Sequence, residues 1–268
     1  MGFYGTSFIF DGVPSEEYGM MIYDVGSSKQ DETAFVSSKF IEDRISRRYD
    51  PLFYGQTYND PLEFKLTFGL HPELIDQGKH FDRYDFERIA SWLTGRNGYK
   101  WLTICGEDAD YVRYKCQITE LEIVEGGVYP QVFTCQVSCD SPFGYTREMV
   151  FNYVCTDTLS PILHSRSTYN GFYYPKMTIA LNGASEISVT NQSDGGRIFS
   201  FSGIPAAFQN AILTIDCLNQ TIVSSTGDNM YPYCNKRFFR LIRGDNNLSI
   251  SGNCTVTFNC SFPINVGG

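Results

Sequence analysis

The stretch FTCQVSCDSPFGY, residues 133–145, changes character in its middle. Up to Cys139 apolar and polar side chains alternate, which is typical of a strand with one buried face. The apolar face consists of Phe133, Cys135, Val137 and Cys139. Asp140-Ser141-Pro142-Phe143-Gly144 then ends the strand, because proline cannot donate to a β-ladder and Asp, Ser and Gly favour turns. We therefore predict that this strand closes one domain and that the chain then enters a linker.

A reactive or metal-binding cysteine pair is the other interpretation of Cys135 and Cys139. The chain has nine cysteines, but a zinc site normally uses a second closely spaced pair, and the sequence contains no C-x-x-C motif. Cys116 also lies on the apolar face of its own predicted strand. Free cysteine packs as a small hydrophobe, so we interpret the cysteines as core residues.

Composition excludes several classes of protein. A hydrophobic content of 42% over 268 residues is enough for one large core or two modest ones. A net charge of −9 repels phosphate backbones, so stable DNA binding is disfavoured while passage of DNA is not. No apolar run approaches the ~18 residues of a membrane span, and the N-terminus lacks the basic region of a signal peptide.

The first half is predicted to form strands around one helix. Leu62–Phe68 alternates as a half-buried antiparallel strand. Asp82–Thr94 has helical spacing, with Asp82 as the N-cap and Gly95 as a left-handed stop. Further strands are predicted at Trp101–Cys105 and Tyr111–Glu120.

The second half is rich in Asn, Ser, Thr and Gly and is predicted to form short strands only. These are Lys176–Leu181, Glu186–Thr190, Arg197–Ser202, Ala211–Cys217, Thr221–Ser224, Arg237–Ile242, Leu248–Ser251 and Thr255–Phe262. We expect an Asn182-Gly183 hairpin turn between the first two. Eight short strands without a helix indicate a jelly-roll or other β-sandwich. The predicted organisation is a domain over 1–146, a linker and domain entry over 147–172 and a sandwich over 173–268.

Catalysis finds little support in the sequence. The three histidines lack metal-ligand spacing, and no nucleophile elbow, phosphate loop or dinucleotide motif is present. Glu107, Asp108 and Asp110 lie in one loop, where we predict a solvated acidic turn. We predict no catalytic, cofactor or metal site.

One short segment concentrates positive charge. Arg44, Arg47, Arg48 and Tyr49 lie within "DRISRRYDPLFYG". Arginine and tyrosine are favoured at protein interfaces, so a contact with the acidic surface of a neighbouring subunit is one interpretation. A plain exposed β-ribbon is the other.

These segments resemble one family, the distal tail proteins of siphophages, which are bacteriophages with long, non-contractile tails. The resemblance lies in the opening "SFIFDGVPSEEYGM", the closing strand "YNDPLEFKLTF", the helix "DRYDFERIASWL" and, most specifically, "FTCQVSCDSPFGY". Beyond residue 146 only "YYPKMTIALNG", "ISVTN" and "RGDNNLSISG" resemble the family's galectin-like sandwich.

The resemblance implies a structural, non-enzymatic virion protein at the tail tip, assembled in the cytoplasm of the host bacterium. It implies a hexameric ring in which DNA is only in transit and no part inserts into a membrane. The implied partners are the tail tube protein, the tail-associated fibre or lysin protein, and receptor-binding or baseplate proteins. A protruding β-ribbon, here within Gly26–Asp60, would bring Arg44, Arg47 and Arg48 to a subunit contact.

A carbohydrate-binding adhesin is the competing class. Its contacts would come from the tyrosines of the segment that leads into the sandwich, because residues 147–268 contain no tryptophan. These tyrosines are Tyr169, Tyr173 and Tyr174, and Phe172 belongs to the same aromatic cluster. Core packing is the other interpretation of the same residues, and a glycan hydrolase, a third class, lacks any assignable carboxylate pair.

Overall fold

The structure is a computed structural model that describes residues 6–25, 38–58, 60–106, 112–124 and 132–266. Within them the first half of the chain forms β1 (Ser7–Phe10), β2 (Val13–Pro14), β3 (Met20–Val25), β4 (Ser38–Asp43), β5 (Leu52–Tyr58), β6 (Glu63–Leu70), α1 (Pro72–Asp76), α2 (Arg83–Leu93), β7 (Lys100–Cys105), β8 (Val112–Val124), β9 (Val132–Cys139) and β10 (Gly144–Thr146). The second half forms β11 (Met149–Cys155), β12 (Thr158–Leu159), β13 (Ile162–Ser165), β14 (Lys176–Leu181), β15 (Ile187–Asn191), β16 (Arg197–Phe201), β17 (Ile212–Asp216), β18 (Thr221–Ser224), β19 (Gly244–Ser251), β20 (Cys254–Cys260) and β21 (Pro263–Ile264).

The chain divides into two compact units. We call residues 1–145 with 265–268 the N-terminal unit, and residues 146–264 the C-terminal unit. The predicted fold class is confirmed: the protein is mainly β, with a helix and a ribbon in the first unit and a β-sandwich in the second. A five-residue helix, α1, is additional to the one that was predicted.

One antiparallel sheet forms the body of the N-terminal unit, in the strand order β2-β1-β7-β8-β9-β6-β3. The predicted strand Val132–Cys139 is β9, and it pairs with β6 on one side and β8 on the other. The amide of Ile22 on β3 donates to the carbonyl of Thr6, next to β1, at 3.0 Å. The two ends of the sheet therefore curl towards each other around a shared core.

Helix α2 begins at the predicted N-cap. The Asp82 carboxylate accepts from the Asp85 amide at 2.9 Å, and the Asp85 carboxylate accepts from the Asp82 amide at 3.1 Å. This reciprocal pair satisfies two amides that the first helical turn leaves without partners. The predicted left-handed stop at Gly95 is wrong, since Gly95 is not among the positive-φ glycines. A glycine is needed there because a Cβ would lie 2.5 Å from the carbonyl oxygen of Ser91.

Trp92 fastens this helix to the sheet. Its ring stacks on Phe8 and Tyr18 with centroid distances of 5.6 and 4.8 Å. Its indole nitrogen donates to the carbonyl of Phe10 at 3.1 Å. A buried indole is stable only where its N–H has an acceptor, so the helix and β1 fix each other.

Residues 265 and 266 return to the N-terminal unit. Val266 is buried there beside Gly144, whose position would bring an added Cβ within 2.7 Å of Val266 Cγ2 and 2.6 Å of Val112 Cγ1. Glycine at 144 is therefore what lets the returning segment pack against β8.

The C-terminal unit consists of two five-stranded sheets. One has the order β11-β20-β14-β17-β18, and the other has the order β12-β19-β15-β16 with β13 also paired to β19. A single core joins them, with Ile179 and Phe258 from the first sheet and Val189 and Phe199 from the second. Alternate residues along the strands face this core, which is the pattern expected of a sandwich.

Residues 147–172 do not form a linker, which corrects the predicted boundaries. They carry β11, β12 and β13, and β11 pairs along its whole length with β20. The sequence conceals β11 because it is apolar on both faces: Val150 and Val154 are exposed while Phe151 and Tyr153 pack against the core. Without alternation, the segment carried no strand signal.

Two local expectations in the second half were also wrong. Strand β14 pairs with β17 and β20, whereas β15 pairs with β16 and β19, so the Asn182-Gly183 turn carries the chain between sheets. Residues 237–242 form no strand and make only an isolated bridge between Leu241 and Tyr173. Phe238 and Phe239 are both buried, which a regular strand with one buried face does not allow.

Candidate subunit interface

Strands β4 and β5 form a separate two-stranded antiparallel sheet, and we call residues 38–58 the ribbon. The register shifts between Ile41 and Glu42, so one extra residue of β5 bulges opposite them. Gly55, beside the bulge, has a φ of 143°, a conformation that favours glycine. The predicted β-ribbon is therefore present, although residues 26–37 and 59 of the predicted segment lie outside the described residues.

Large apolar side chains on this ribbon face solvent. Phe40 and Phe53 are 64% and 60% exposed, and their rings meet edge to face at 5.7 Å. Ile41 and Tyr54 are exposed as well. An isolated two-stranded ribbon is at best marginally stable in water, and exposed apolar surface of this kind normally marks an interaction site.

The turn between the strands brings together all four predicted interface residues. The Arg44 and Arg48 guanidinium groups lie 3.8 and 3.2 Å from the carboxylates of Glu42 and Asp50. The other two, Arg47 and Tyr49, are exposed, and Tyr49 is fully so. Guanidinium forks that face solvent are suited to carboxylates of another surface.

Residues 140–145, which follow β9, support the base of this ribbon. The ring of Tyr58, at the end of β5, packs edge to face on buried Phe143 at 4.9 Å. The hydroxyl of Tyr145 donates to Asp140 at 3.2 Å and lies 3.0 Å from the hydroxyl of Ser141. Burial raises the pKa of Tyr145 to about 12. Asp-Ser-Pro-Phe-Gly-Tyr is thus a packed corner against which the ribbon is anchored.

The tyrosines proposed as sugar contacts do not form one exposed platform. Tyr173 packs on Phe262 at 4.9 Å and its hydroxyl accepts from the amide of Ser261 at 2.8 Å. Tyr174 also packs against the sandwich core. Tyr169 is partly exposed, and its ring lies where a side chain on Gly171 would have to fit.

The contact made by Phe172, the aromatic residue among these tyrosines, was not predicted from the sequence. Phe172 is 43% exposed, and the Arg240 guanidinium lies 3.4 Å from its ring centroid. The same guanidinium donates to both carboxylate oxygens of Asp194, at 2.7 and 3.0 Å. Arg240 and Asp194 are 46 positions apart, so no local sequence pattern predicts this ion pair.

The acidic residues Glu107, Asp108 and Asp110 lie outside the described residues. Across the part of the chain that the structure describes, no three His, Cys, Asp or Glu side chains are grouped so that they could hold a metal ion. No helix in that part has the length and apolar content needed to cross a membrane.

Comparison with known proteins identifies both halves of the chain. Residues 3–141 match a family model described as phage tail protein N-terminal domain, and residues 143–260 match one described as phage tail C-terminal domain. The SPbeta prophage-derived uncharacterized protein YomH of Bacillus subtilis (strain 168) is 21% identical over 252 residues, which cover 93% of this chain and 94% of that protein.

Two solved structures share the fold over nearly the whole chain. The SPP1 Dit (gp 19.1) protein, described as a paradigm of the hub adsorption apparatus in phages that infect Gram-positive bacteria, aligns with a TM-score of 0.63 and 13% identity. The alignment covers 97% of this chain and all of that one. A chain of the phage P2 baseplate in its activated conformation aligns with a TM-score of 0.56 and 9% identity, covering 96% and 98%.

Proposed function

Because the chain belongs to the family of phage tail proteins defined by this N-terminal domain, we propose that it is a distal tail protein that builds the hub of the tail tip. In this proposal copies of the chain, six in number, close into a ring that joins the tail tube to the baseplate. DNA passes through the ring, and the C-terminal units present docking surfaces to the fibre or lysin protein and to receptor-binding proteins. The role is structural, and assembly takes place in the bacterial cytoplasm before the protein enters the virion.

The ribbon is the observation that carries this proposal. It exposes Phe40 and Phe53 on a two-stranded sheet that has no core of its own, and it ends in a turn with three arginines. A partner surface would cover the apolar groups and supply carboxylates. A head-to-tail contact of this kind generates a closed ring when the rotation between copies closes.

The charge of the N-terminal unit supports a conduit for DNA. This unit contains 23 acidic and 13 basic residues, a net charge of −10. DNA adheres to proteins mainly through lysine and arginine. A ring built from this unit would therefore let DNA move without holding it.

Native mass measurement of the purified protein tests the proposal without a partner. We expect the wild type to form a closed ring and the Arg44→Ala/Arg47→Ala/Arg48→Ala variant to shift towards monomer. A matched control removes three exposed arginines of the C-terminal unit, Arg166→Ala/Arg237→Ala/Arg243→Ala, with the same change in charge. A wild type that stays monomeric at high concentration would contradict the ring, and an equal loss in both variants would contradict the role of the turn.

Saccharide binding by the C-terminal unit is the lesser candidate, because Tyr173 and Tyr174 contribute to the sandwich core. The partial exposure of Tyr169 and Phe172 is what supports it. A glycan array probed with the full chain and with its Tyr169→Ala/Phe172→Ala variant is the direct test. Binding that the variant loses would establish this activity beside the structural one.

A further inference from the structure

Strand β8 extends beyond the end of its neighbour β7. Its pairing with β7 ends at Cys116, whereas its pairing with β9 continues from Cys116 to Val124. Among the described residues, those of β8 beyond Cys116 are registered with β9 alone, and β10, which also pairs with β8, lies at the opposite end of β8, where Gly144 meets Val112. The backbone groups on the β7 side of β8 beyond Cys116 are consequently open to another strand.

The side chains of this open edge are exposed and of two kinds. Glu120 and Glu122 are acidic, and Ile123 and Val124 are each 46% exposed. An open edge with apolar side chains is a template for pairing with another chain. The two carboxylates select the pairing partner, because they repel a second copy of the same edge and attract a basic strand.

The ribbon is the basic element that the chain itself offers. Residues 38–58 hold four basic and three acidic residues, a net charge of +1, while the rest of the N-terminal unit holds 9 basic and 20 acidic residues, a net charge of −11. The ribbon also exposes Phe40, Ile41 and Phe53, which match the apolar end of the edge. Both surfaces thus combine opposite charge with uncovered apolar groups and strand edges.

We propose that the open edge of β8, residues Thr119–Val124, is the surface on which the ribbon of a second copy of this chain docks. The inference rests on the proposed ring and deepens it by naming the acceptor. Because Glu120 and Glu122 disfavour pairing of two identical edges, the contact is heterologous: each copy offers its ribbon to one neighbour and its edge to the other. Such a contact gives a ring when the rotation between successive copies closes.

A charge swap tests the pairing and does not depend on any single variant. In the edge variant, Glu120→Arg/Glu122→Arg, edge and ribbon are both basic. In the ribbon variant, Arg44→Glu/Arg47→Glu/Arg48→Glu, both are acidic. We expect each variant alone to associate at least about tenfold more weakly than the wild type at low salt, and high salt to reduce the difference because it screens exposed charges.

Mixing the two variants in equal amounts should restore assembly. The ribbon of the edge variant then meets the acidic edge of the ribbon variant, and the acidic ribbon meets the basic edge, so rings of alternating subunits form. Glu16→Arg/Glu17→Arg serves as the matched control, because it reverses two adjacent exposed carboxylates of the same unit outside the proposed contact. We expect this control to assemble like the wild type, and circular dichroism to show that every variant is folded.

The outcomes separate the inference from the proposed function. If the wild type forms rings but the edge variant also assembles normally, or the mixed variants do not assemble, the acceptor surface is wrong and the proposed ring is unaffected. A wild type that is monomeric in solution overturns the ring and the acceptor together. Rings that appear only on mixing support both.

Discussion

The two units share a β-rich interior but differ in the surface they place around it. The N-terminal unit has a net charge of −10 and contains both tryptophans, whereas the C-terminal unit has 7 acidic and 8 basic residues, a net charge of +1. On the outer face of one C-terminal sheet, neutral groups such as Thr257 and Asn152 bond to each other at 3.0 Å. We infer that contacts of the first unit are more sensitive to salt than those of the second, because salt screens the larger net charge.

Alkaline pH gives the largest expected effect and acts on both units. Burial raises the pKa of three thiols in the N-terminal unit and four in the C-terminal unit. They are Cys116, Cys135 and Cys139, and Cys217, Cys234, Cys254 and Cys260. Unfolded thiols ionise near pH 8.5, so stability is fully present below that pH and is lost as the pH rises towards the folded values, which are about 12 for Cys135 and about 11 for Cys254.

Each such thiol destabilises its unit as the pH rises through this window, because only the unfolded thiol is ionised there. We expect both units to unfold in this window. Tryptophan fluorescence reports only the N-terminal unit, and far-ultraviolet circular dichroism reports both. Equal stability at pH 8 and pH 11 would contradict the prediction.

Core truncation tests whether the units unfold separately. Trp92→Ala removes the ring stacked between Phe8 and Tyr18, and Phe258→Ala removes a fully buried ring of the sandwich. We expect a loss of about 3–5 kcal/mol in each case, confined to the unit that carries the change. Calorimetry measures it, and fluorescence of the remaining Trp101 follows the N-terminal unit. A single unfolding transition that both variants shift equally would show that the two units do not unfold separately.

A smaller effect is expected from the ion pair of Asp194 and Arg240. The Asp194 side chain is 9% exposed, so its removal strips a partly buried guanidinium of two hydrogen bonds. Asp194→Ala should cost about 2 kcal/mol of the unfolding free energy, measured by urea denaturation. The matched control is Glu87→Ala, which breaks the exposed pair with Arg83 and should cost no more than about 0.5 kcal/mol. Similar losses in the two variants would refute the distinction between buried and exposed pairs.

The smallest effect is expected at the corner beneath the ribbon. Tyr145→Phe deletes the hydroxyl that bonds Asp140 and Ser141 and should cost about 1 kcal/mol. Tyr49→Phe, at the fully exposed ribbon turn, is its control and should leave stability unchanged. Urea midpoints measure both, and a larger loss for Tyr49→Phe would place the structural role at the turn instead.

Elements with regular alternation or a local cap could be predicted from the sequence. Strand β9 and the capping box of Asp82 are local patterns in which neighbouring residues supply all the information. Strand β11 could not be recognised, because two of its three outward residues, Val150 and Val154, are as apolar as its inward ones. Pairing between strands that are distant in the chain, such as β14 and β20 of one sheet, joins residues 73 to 83 positions apart and has no local signal.

The candidate interface shows the same limit. The arginines of the ribbon turn stand out in the sequence because they are clustered. The apolar groups of the ribbon do not, since Phe40 and Phe53 are indistinguishable from core residues until the structure exposes them. The open edge of β8 follows only from the different lengths of its two neighbours.

The return of Asn265 and Val266 to the first unit has a mechanical consequence. The sandwich is an insertion within another fold, and the polypeptide enters and leaves it through separate covalent links. A protease that cuts one link leaves the sandwich attached through the other, and a pulling force on it is shared by two strands of backbone. Residues 146–264 can also be exchanged as a unit, because a different domain can replace them while Gly144 and Val266 still meet in the N-terminal unit.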